Sequence, residues 1–293
     1  MYDAIIIGCG PAGMTSAIYL ARQNKKVLIL EKETIGGQIS SSPLVENYPG
    51  YIAISGSELS NNMFDQVMNL GVDFELEEVV KIEDGNIKKV ITTDNTYETK
   101  TVIIATGCKY RLLGLDNEVN LIGKGIHFCV SCDGAFYKDK IVAVIGGGNS
   151  AVINALSLSE ICKKVYVIQN LYDLTSEKNL ADKLREKQNV EIIVSSVVSK
   201  INGEDSLESI EINNDKTINL DGMFISIGMV PQNSFVKDLI KLDKYNYVDS
   251  IDCKTNIEGV FVAGDLRTKP YRQVTTAVND GTIAANLVID YLK

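Results

Sequence analysis

The chain has 293 residues, 45% of them hydrophobic and 23% charged, an ordinary globular composition whose length exceeds the roughly 250 residues at which one core usually splits in two. No apolar run approaches the ~18 residues a membrane span needs, and the start Met1-Tyr2-Asp3-Ala4-Ile5 has no basic region ahead of its first strand, so a cytoplasmic protein without a secretory signal is expected. A net charge of −9 and a single histidine, His127, argue against nucleic-acid binding, His-rich metal sites and triad hydrolysis.

In chain order, residues 4–7 predict a buried strand, 12–22 an amphipathic helix and 26–30 a second strand ending at Glu31, which together make a βαβ unit. Residues 79–107 read as a β-meander with turns at Asp84-Gly85-Asn86 and Asp94-Asn95, closing on Thr101-Val102-Ile103-Ile104-Ala105-Thr106-Gly107. The same order then recurs: strand 140–145, the turn Gly146-Gly147-Gly148, helix 150–160 and strand 164–168. A second meander follows, with turns at Asn202-Gly203 and Asn214-Asp215, closing near Gly228. A last strand at 259–265 and a helix at 275–292 complete the chain. This degenerate two-copy repeat predicts an α/β fold of two Rossmann-like, three-layer ββα nucleotide-binding domains, the second inserted in the first. The expected boundaries are 1–112 with 246–293 for one domain and 113–245 for the other.

Gly8-Cys9-Gly10-Pro11-Ala12-Gly13 fits G-x-G-x-x-G between a strand and a helix, with Glu31 eighteen residues past Gly13. The first glycine makes a tight turn, the second admits a pyrophosphate to the backbone, and the third lets helix and strand pack closely. Glu31 is placed to accept hydrogen bonds from ribose hydroxyls. Cys129-Val130-Ser131-Cys132-Asp133 is the chemical centre. Two thiols three residues apart can close a small reducible disulfide, and Asp133 beside them can supply or remove the proton a departing thiolate needs. Half a zinc site and two idle thiols are the bland readings; zinc is disfavoured because Cys9, Cys108, Cys162 and Cys253 form no second C-x-x-C. His127, two residues upstream, either tunes the thiols or packs.

With these pieces in place the chain resembles the low-molecular-weight thioredoxin reductase family of FAD-dependent disulfide oxidoreductases over nearly its whole length. The likeness rests on Gly8 to Gly13, Gly36-Gly37-Gln38, Val45-Glu46-Asn47-Tyr48-Pro49-Gly50, Ala105-Thr106-Gly107, Cys129 to Gly134, Gly146 to Ala151, Gly228-Met229-Val230-Pro231, Gly264-Asp265 and Arg272-Gln273-Val274-Thr275-Thr276-Ala277. The resemblance implies FAD held by Gly8, Gly10, Pro11, Ala12, Gly13, Glu31, Lys32, Gly37, Gln38, Asn47, Val79, Ala105, Thr106, Gly107, Gly264, Asp265, Arg272, Gln273, Val274 and Ala277. It also implies a homodimer, a disulfide carried by the inserted domain, Cys132 toward the flavin, Cys129 attacking the disulfide of thioredoxin, and Asp133 as general acid.

One stretch departs from the family. Members that use NADPH end the strand after the second fingerprint in a His-Arg-Arg cluster that neutralises the 2′-phosphate, whereas Val165-Tyr166-Val167-Ile168-Gln169-Asn170-Leu171-Tyr172-Asp173-Leu174-Thr175 has no basic residue. Gln169 stands where NADH use would want an acid. Two missing charged contacts at about 1.5 to 3 kcal/mol each amount to about 3 to 6 kcal/mol, or ~10² to 10⁴ in affinity, unless Lys178, Lys183 or Arg185 reaches the site. The resemblance therefore narrows to ferredoxin-dependent flavin thioredoxin reductases, which lack the nucleotide signatures. An acidic ferredoxin would need a local basic surface, for which Arg267-Thr268-Lys269-Pro270-Tyr271-Arg272 is the best candidate, with Lys25-Lys26 and Lys163-Lys164 behind it. The competing expectations are an NADPH-dependent reductase with atypical contacts, a flavin-dependent dithiol oxidase, and a flavin or redox sensor.

Overall fold

A computed structural model describes residues 1–293. The chain divides into two compact units, one made of Met1–Lys109 and Val230–Lys293, the other of Tyr110–Met229. The first unit opens with β1 (Tyr2–Ile7), α1 (Pro11–Ala21) and β2 (Val27–Glu31), followed by α2 (Gly56–Asn69), β3 (Asp73–Leu76), β4 (Val79–Glu83), β5 (Lys88–Thr92), β6 (Thr96–Ile104) and β7 (Cys108–Tyr110) at the first crossing. The second unit contains β8 (Ile126–His127), α3 (Val130–Asp133), β9 (Ile141–Ile145), α4 (Asn149–Ser159), β10 (Lys164–Ile168), α5 (Lys178–Arg185), β11 (Val190–Ile193), β12 (Val198–Asn202), β13 (Ser209–Ile212), β14 (Lys216–Asn219) and β15 (Gly222–Ile225). After β16 (Met229–Pro231) the chain re-enters the first unit and supplies β17 (Val260–Val262) and α6 (Val274–Tyr291). No helix is long and apolar enough to cross a membrane.

In the first unit the sheet order is β3-β2-β1-β6-β5-β4, with β17 also on β6. The nine residues of β6 serve two partners: residues 96–99 pair antiparallel with β5, and 102–104 run parallel between β1 and β17. Both faces of the parallel part are buried, so its strands are continuous apolar runs rather than alternating ones. Ala4, Ile6, Ile29 and Ile103 pack under α1, α2 and α6, while Ile5, Ile7, Leu28, Leu30 and Ile104 pack under the meander. The helix α2 was not anticipated, although Ser55 and Glu58 signal its start: the Ser55 side chain accepts from the Glu58 N–H, and Leu59, Met63 and Val67 form the buried stripe.

The second unit repeats the plan with the parallel sheet β11-β10-β9-β15-β8, but its meander stands apart as a three-stranded sheet, β12-β13-β14. Where β6 runs unbroken from meander to core, the equivalent path breaks between β14 and β15 at Leu220-Asp221. The return also differs from the expected 246. It lies at Val230, because Phe235, Val236, Leu239, Ile240 and Leu242 pack against the apolar face that Ile5, Val102 and Val262 present in the first unit. Residues 230–245, assigned from sequence to the second domain, are therefore part of the first.

Candidate active site

The turn after β1 is built as the spacing predicts. Gly8 has φ +108°, and a Cβ there would stand 2.5 Å from the Ala105 oxygen; one on Gly13 would stand 2.0 Å from the Gly8 oxygen. Gly10 is different, because a Cβ there meets nothing nearer than the Gly36 oxygen at 4.0 Å, which leaves room above the N-terminus of α1 for a ligand to approach the backbone. Pro11 occupies the first turn of α1, where its missing N–H costs nothing. Glu31 closes the turn with one carboxylate oxygen accepting from the Cys9 N–H at 2.8 Å and the other from the N–H groups of Lys32 and Glu33. Gly8, Glu31, Lys32, Val79 and Thr106 line one cavity.

The remaining residues expected at this site lie in the same unit and interlock. Gly37 faces Gly10, and a Cβ on Gly37 would stand 3.6 Å from the Gly10 Cα. Gln38 donates to the Cys108 oxygen, the Ala105 N–H to the Ile7 oxygen at 2.8 Å, and the Thr106 hydroxyl to the Gln232 oxygen at 2.6 Å. Gly107 adopts φ +63° with open space beside it. Gly264 packs on Ala12, and the Cys108 thiol donates to the Asp265 oxygen at 3.0 Å. Gln273 caps α6, with Val274 as its first residue and Ala277 buried one turn on; Asn47 donates to the Gln273 side chain at 3.4 Å. Cradle, acid and open backbone are the chemistry a dinucleotide requires, so these residues fit FAD.

The basic side chains of segment 267–272 have partners within the first unit. Asp280, 1% exposed on α6, accepts from Arg267 at 2.8 Å, Lys269 at 3.1 Å and the Gly264 N–H at 3.1 Å. Lys269 also pairs with Asp265 at 3.0 Å. Arg272 lies 4.1 Å from the Tyr247 ring centre and donates to the Asp265 oxygen at 3.3 Å. These cations neutralise a buried acid and hold a turn. In the two reserve clusters one lysine of each pair is engaged, Lys26 over the Tyr2 ring and Lys164 with Glu191.

In the second unit Cys129 and Cys132 are joined as a disulfide with Cα atoms 5.3 Å apart. Both are half-buried where β8 meets α3. The other four cysteines are buried and unpaired. Burial, with nearby carboxylates adding to it, pushes Cys9, Cys108 and Cys253 up to about 12 and Cys162 to about 11, so none is a thiolate at neutral pH. Asp133 is buried, and its Oδ2 lies 3.1 Å from His127 Nδ1. His127 Nε2 in turn lies 2.7 Å from the Tyr137 hydroxyl. Tyr137 was missed by the sequence reading; its place four residues past Asp133 carries no motif signal of its own.

The second glycine-rich turn keeps its backbone and, at Gly148, the room that Gly10 has, a Cβ there meeting nothing nearer than the Thr175 hydroxyl at 3.9 Å; what changes is the side chains around it. Gly146 has φ +125° and its N–H reaches the Ile168 oxygen at 2.9 Å. The Gln169 side chain, however, lies against Gly147, with Nε2 2.4 Å from where a Cβ would be. The Thr175 N–H donates to the Gly147 oxygen at 2.8 Å. Asn149, the first residue of α4, exchanges two hydrogen bonds with Glu177: the Glu177 N–H donates to Oδ1 at 2.8 Å, and Nδ2 donates to the Glu177 carboxylate at 3.2 Å. Arg185, the only arginine among the cations that could have replaced the missing ones, is paired with Asp173 at 2.6 Å and Asp182 at 3.3 Å.

Residues 2–281 match the model of the family described as pyridine nucleotide-disulphide oxidoreductase. The chain is 41% identical over 298 residues, 99% of this chain and 97% of the other, to the 34.2 kDa protein in rubredoxin operon of Clostridium pasteurianum. It is 36% identical over 301 residues to the thioredoxin reductase of Bacillus subtilis, covering 100% of this chain and 95% of that one. The crystal structure of thioredoxin reductase from Streptococcus pyogenes superposes with a TM-score of 0.95 at 43% identity, covering 100% and 98% of the two chains. With this fold, an engaged C-x-x-C disulfide and these relatives, the chain belongs to the low-molecular-weight thioredoxin reductase branch of the pyridine nucleotide-disulphide oxidoreductase family.

Proposed function

We propose that the protein is a flavoprotein disulfide reductase that holds FAD in its first unit, carries electrons on the Cys129–Cys132 pair, and reduces thioredoxin with reduced ferredoxin, rather than NADPH, as donor. The observation that carries the choice of donor is the set of side chains around the second turn: Gln169 against Gly147 where a cation would be wanted, Glu177 tied to Asn149, and Arg185 spent on Asp173 and Asp182. A carboxylate at the start of α4 disfavours a phosphate there, since both compete for the positive end of the helix.

FAD, when bound, accepts electrons singly and delivers them as a pair to a disulfide. Its pyrophosphate would lie at Gly10 to Gly13, its ribose hydroxyls at Glu31, and its remaining contacts along Gly37, Gln38, Asn47, Ala105 to Gly107, Gly264, Asp265, Arg272, Gln273, Val274 and Ala277. On the chain's own side, two electrons and two protons convert the disulfide to the Cys129 and Cys132 thiols. The Cys129 thiolate attacks one sulfur of the thioredoxin disulfide. Cys132 then attacks Cys129, restoring the enzyme disulfide and releasing a dithiol, with Asp133 protonating the departing sulfur. Electron flow is downhill: ferredoxins near −400 mV and thioredoxin near −270 mV differ by ~130 mV, about 6 kcal/mol for two electrons. The reading includes a homodimer acting in the cytoplasm.

The test is anaerobic mixing of the oxidised holoprotein with NADPH, NADH or reduced ferredoxin while following flavin absorbance. Bleaching by ferredoxin alone is expected, and rapid bleaching at micromolar NADPH would return the protein to the NADPH-dependent enzymes. Peroxide formation from a small dithiol and oxygen would instead mark a dithiol oxidase. Asp133→Asn separates the reductase from a sensor, which would keep its response while turnover is lost.

A further inference from the structure

His127 ends β8 opposite Phe224 of β15, 6% exposed and stacked on the Phe224 ring at 5.5 Å. Its two nitrogens are both engaged, Nδ1 with Asp133 Oδ2 and Nε2 with the Tyr137 hydroxyl. Tyr137 is fixed from two sides. A Cβ on Gly222 would stand 2.2 Å from its ring, so only glycine lets the ring lie there, and the Cys162 thiol donates to its backbone oxygen at 3.1 Å. Asp133 Oδ1 is buried with no hydrogen-bond partner. The two oxygens of one carboxyl group, one residue past Cys132, are thus treated differently: one is clamped and the other has no partner.

The polarity of this chain follows from what each group can do. An ionised carboxylate only accepts, so His127 Nδ1 carries the proton; Nε2 is then an acceptor, and the Tyr137 hydroxyl donates to it. Burial, together with the charge of Asp133, pushes Tyr137 up to about 12, which keeps that hydroxyl protonated. When Asp133 gains a proton at Oδ1, Oδ2 still accepts from Nδ1–H. The other ionisable groups around the relay are Cys129 and Cys132 on the same turn, Cys162 after α4, Asp221 before β15, and Lys140, whose Nζ lies 5.3 Å from the Tyr137 ring centre.

We propose that His127 is a positioning residue for Asp133: it clamps Oδ2, reserving Oδ1 as the oxygen that binds and releases the proton during thiol–disulfide exchange, with Tyr137 fixing the imidazole tautomer. The proposal rests on the reading of Asp133 as the acid of that exchange. In the step concerned the Cys132–Cys129 bond forms and the bond from Cys129 to the substrate sulfur breaks. The electron pair leaves on the substrate sulfur, and the Asp133 Oδ1 proton follows it. The enzyme dithiol is oxidised and the substrate disulfide reduced.

The experiment uses holoenzyme reduced with dithionite, so that the identity of the natural donor does not matter. The reduced protein is mixed anaerobically with thioredoxin, and in parallel with 5,5′-dithiobis(2-nitrobenzoate), and the exchange rate is followed from pH 6 to 10. His127→Phe is expected to slow exchange about 10- to 100-fold at neutral pH and to change the shape of the pH profile as well as the rate, since the carboxyl group loses its donor. His127→Asn, whose amide can donate from near the Nδ1 position, should recover the rate to within a few-fold, and Tyr137→Phe should fall between. If His127→Phe does not fold with flavin bound, Tyr137→Phe carries the test by removing a single oxygen. Variants with the rate and pH profile of the wild type, or a His127→Asn variant no better than His127→Phe with an unchanged profile, would overturn the positioning role alone. Wild-type protein that exchanges with neither disulfide would overturn the underlying reading as well.

Discussion

The two glycine-rich turns of this chain share a backbone and differ in what lies over them. Above α1 the covering residues are Gly36 and Gly37, which have no side chains, and the acid Glu31 is held back at the strand end by three backbone N–H groups. Above α4 the covering residues are Gln169, Thr175 and Glu177, and the acid is bonded to the first residue of the helix. A glycine fingerprint therefore records how strand and helix pack, and only its surroundings record whether a nucleotide can enter. The family keeps two such folds in one chain; here one retains the cradle and the other carries the dithiol.

The comparison breaks most sharply at the dithiol. Cys132→Ser should lower thioredoxin reduction by 10³-fold or more, as loss of a covalent participant does, while flavin content stays at the wild-type level. Loss of flavin in that variant would contradict the division of labour between the units. The next test substitutes the same position in both turns. Gly10 and Gly148 precede their helices and have equal room for a methyl group, the nearest atoms standing 4.0 and 3.9 Å from the built Cβ. Both variants should fold, but Gly10→Ala should weaken flavin binding by about 10- to 100-fold, or roughly 1.4 to 2.7 kcal/mol. Gly148→Ala should leave flavin and turnover unchanged; flavin titration of the apoprotein reads both. A smaller effect is expected from Glu177→Ala, which removes the carboxylate from Asn149 at a cost of about 1 kcal/mol in stability. Thermal unfolding measures that cost. Flavin bleaching by NADPH should still be absent, because residues 165–175 hold no cation; bleaching that appeared at micromolar NADPH would make the Glu177 carboxylate the sole barrier.

Local patterns made most of the fold legible. The βαβ units, both meanders and the cysteine pair each lie within a few turns of chain, where periodicity and spacing carry the information. What escaped depended on contacts far apart in sequence. The return at Val230 is set by Phe235, Val236 and Ile240 meeting a sheet built more than 120 residues earlier. The basic run from Arg267 to Arg272 reads as surface until Asp280, buried on α6, is seen to neutralise it. His127 stood undecided because its partners come from a later turn and from the acid itself, and the value of Tyr137 lies wholly in where Gly222 lets its ring rest. The missing basic residues after β10 could be read directly, but the approach of Gln169 to Gly147 and of Glu177 to Asn149 could not.

The smallest effect concerns the thiols themselves. Cys9, Cys108, Cys162 and Cys253 are raised by burial, to about 12 for all but Cys162, at about 11. A raised thiol stays neutral until the pH climbs toward its shifted value, so at pH 8 a thiol at 12 is ionised in only ~10⁻⁴ of molecules. Alkylation at pH 8 should accordingly label none of the cysteines in the native oxidised protein and two after reduction, Cys129 and Cys132. After unfolding, four should react in the oxidised protein and all six once it is reduced. Mass spectrometry counts the adducts. Raising the pH to 9 should leave the native oxidised count at zero, because the shifted values still lie two or more units above it. Native labelling of Cys162 would show that the turn supporting Tyr137 opens in solution, and the two halves of the molecule would then differ in rigidity as well as in what their glycine turns admit.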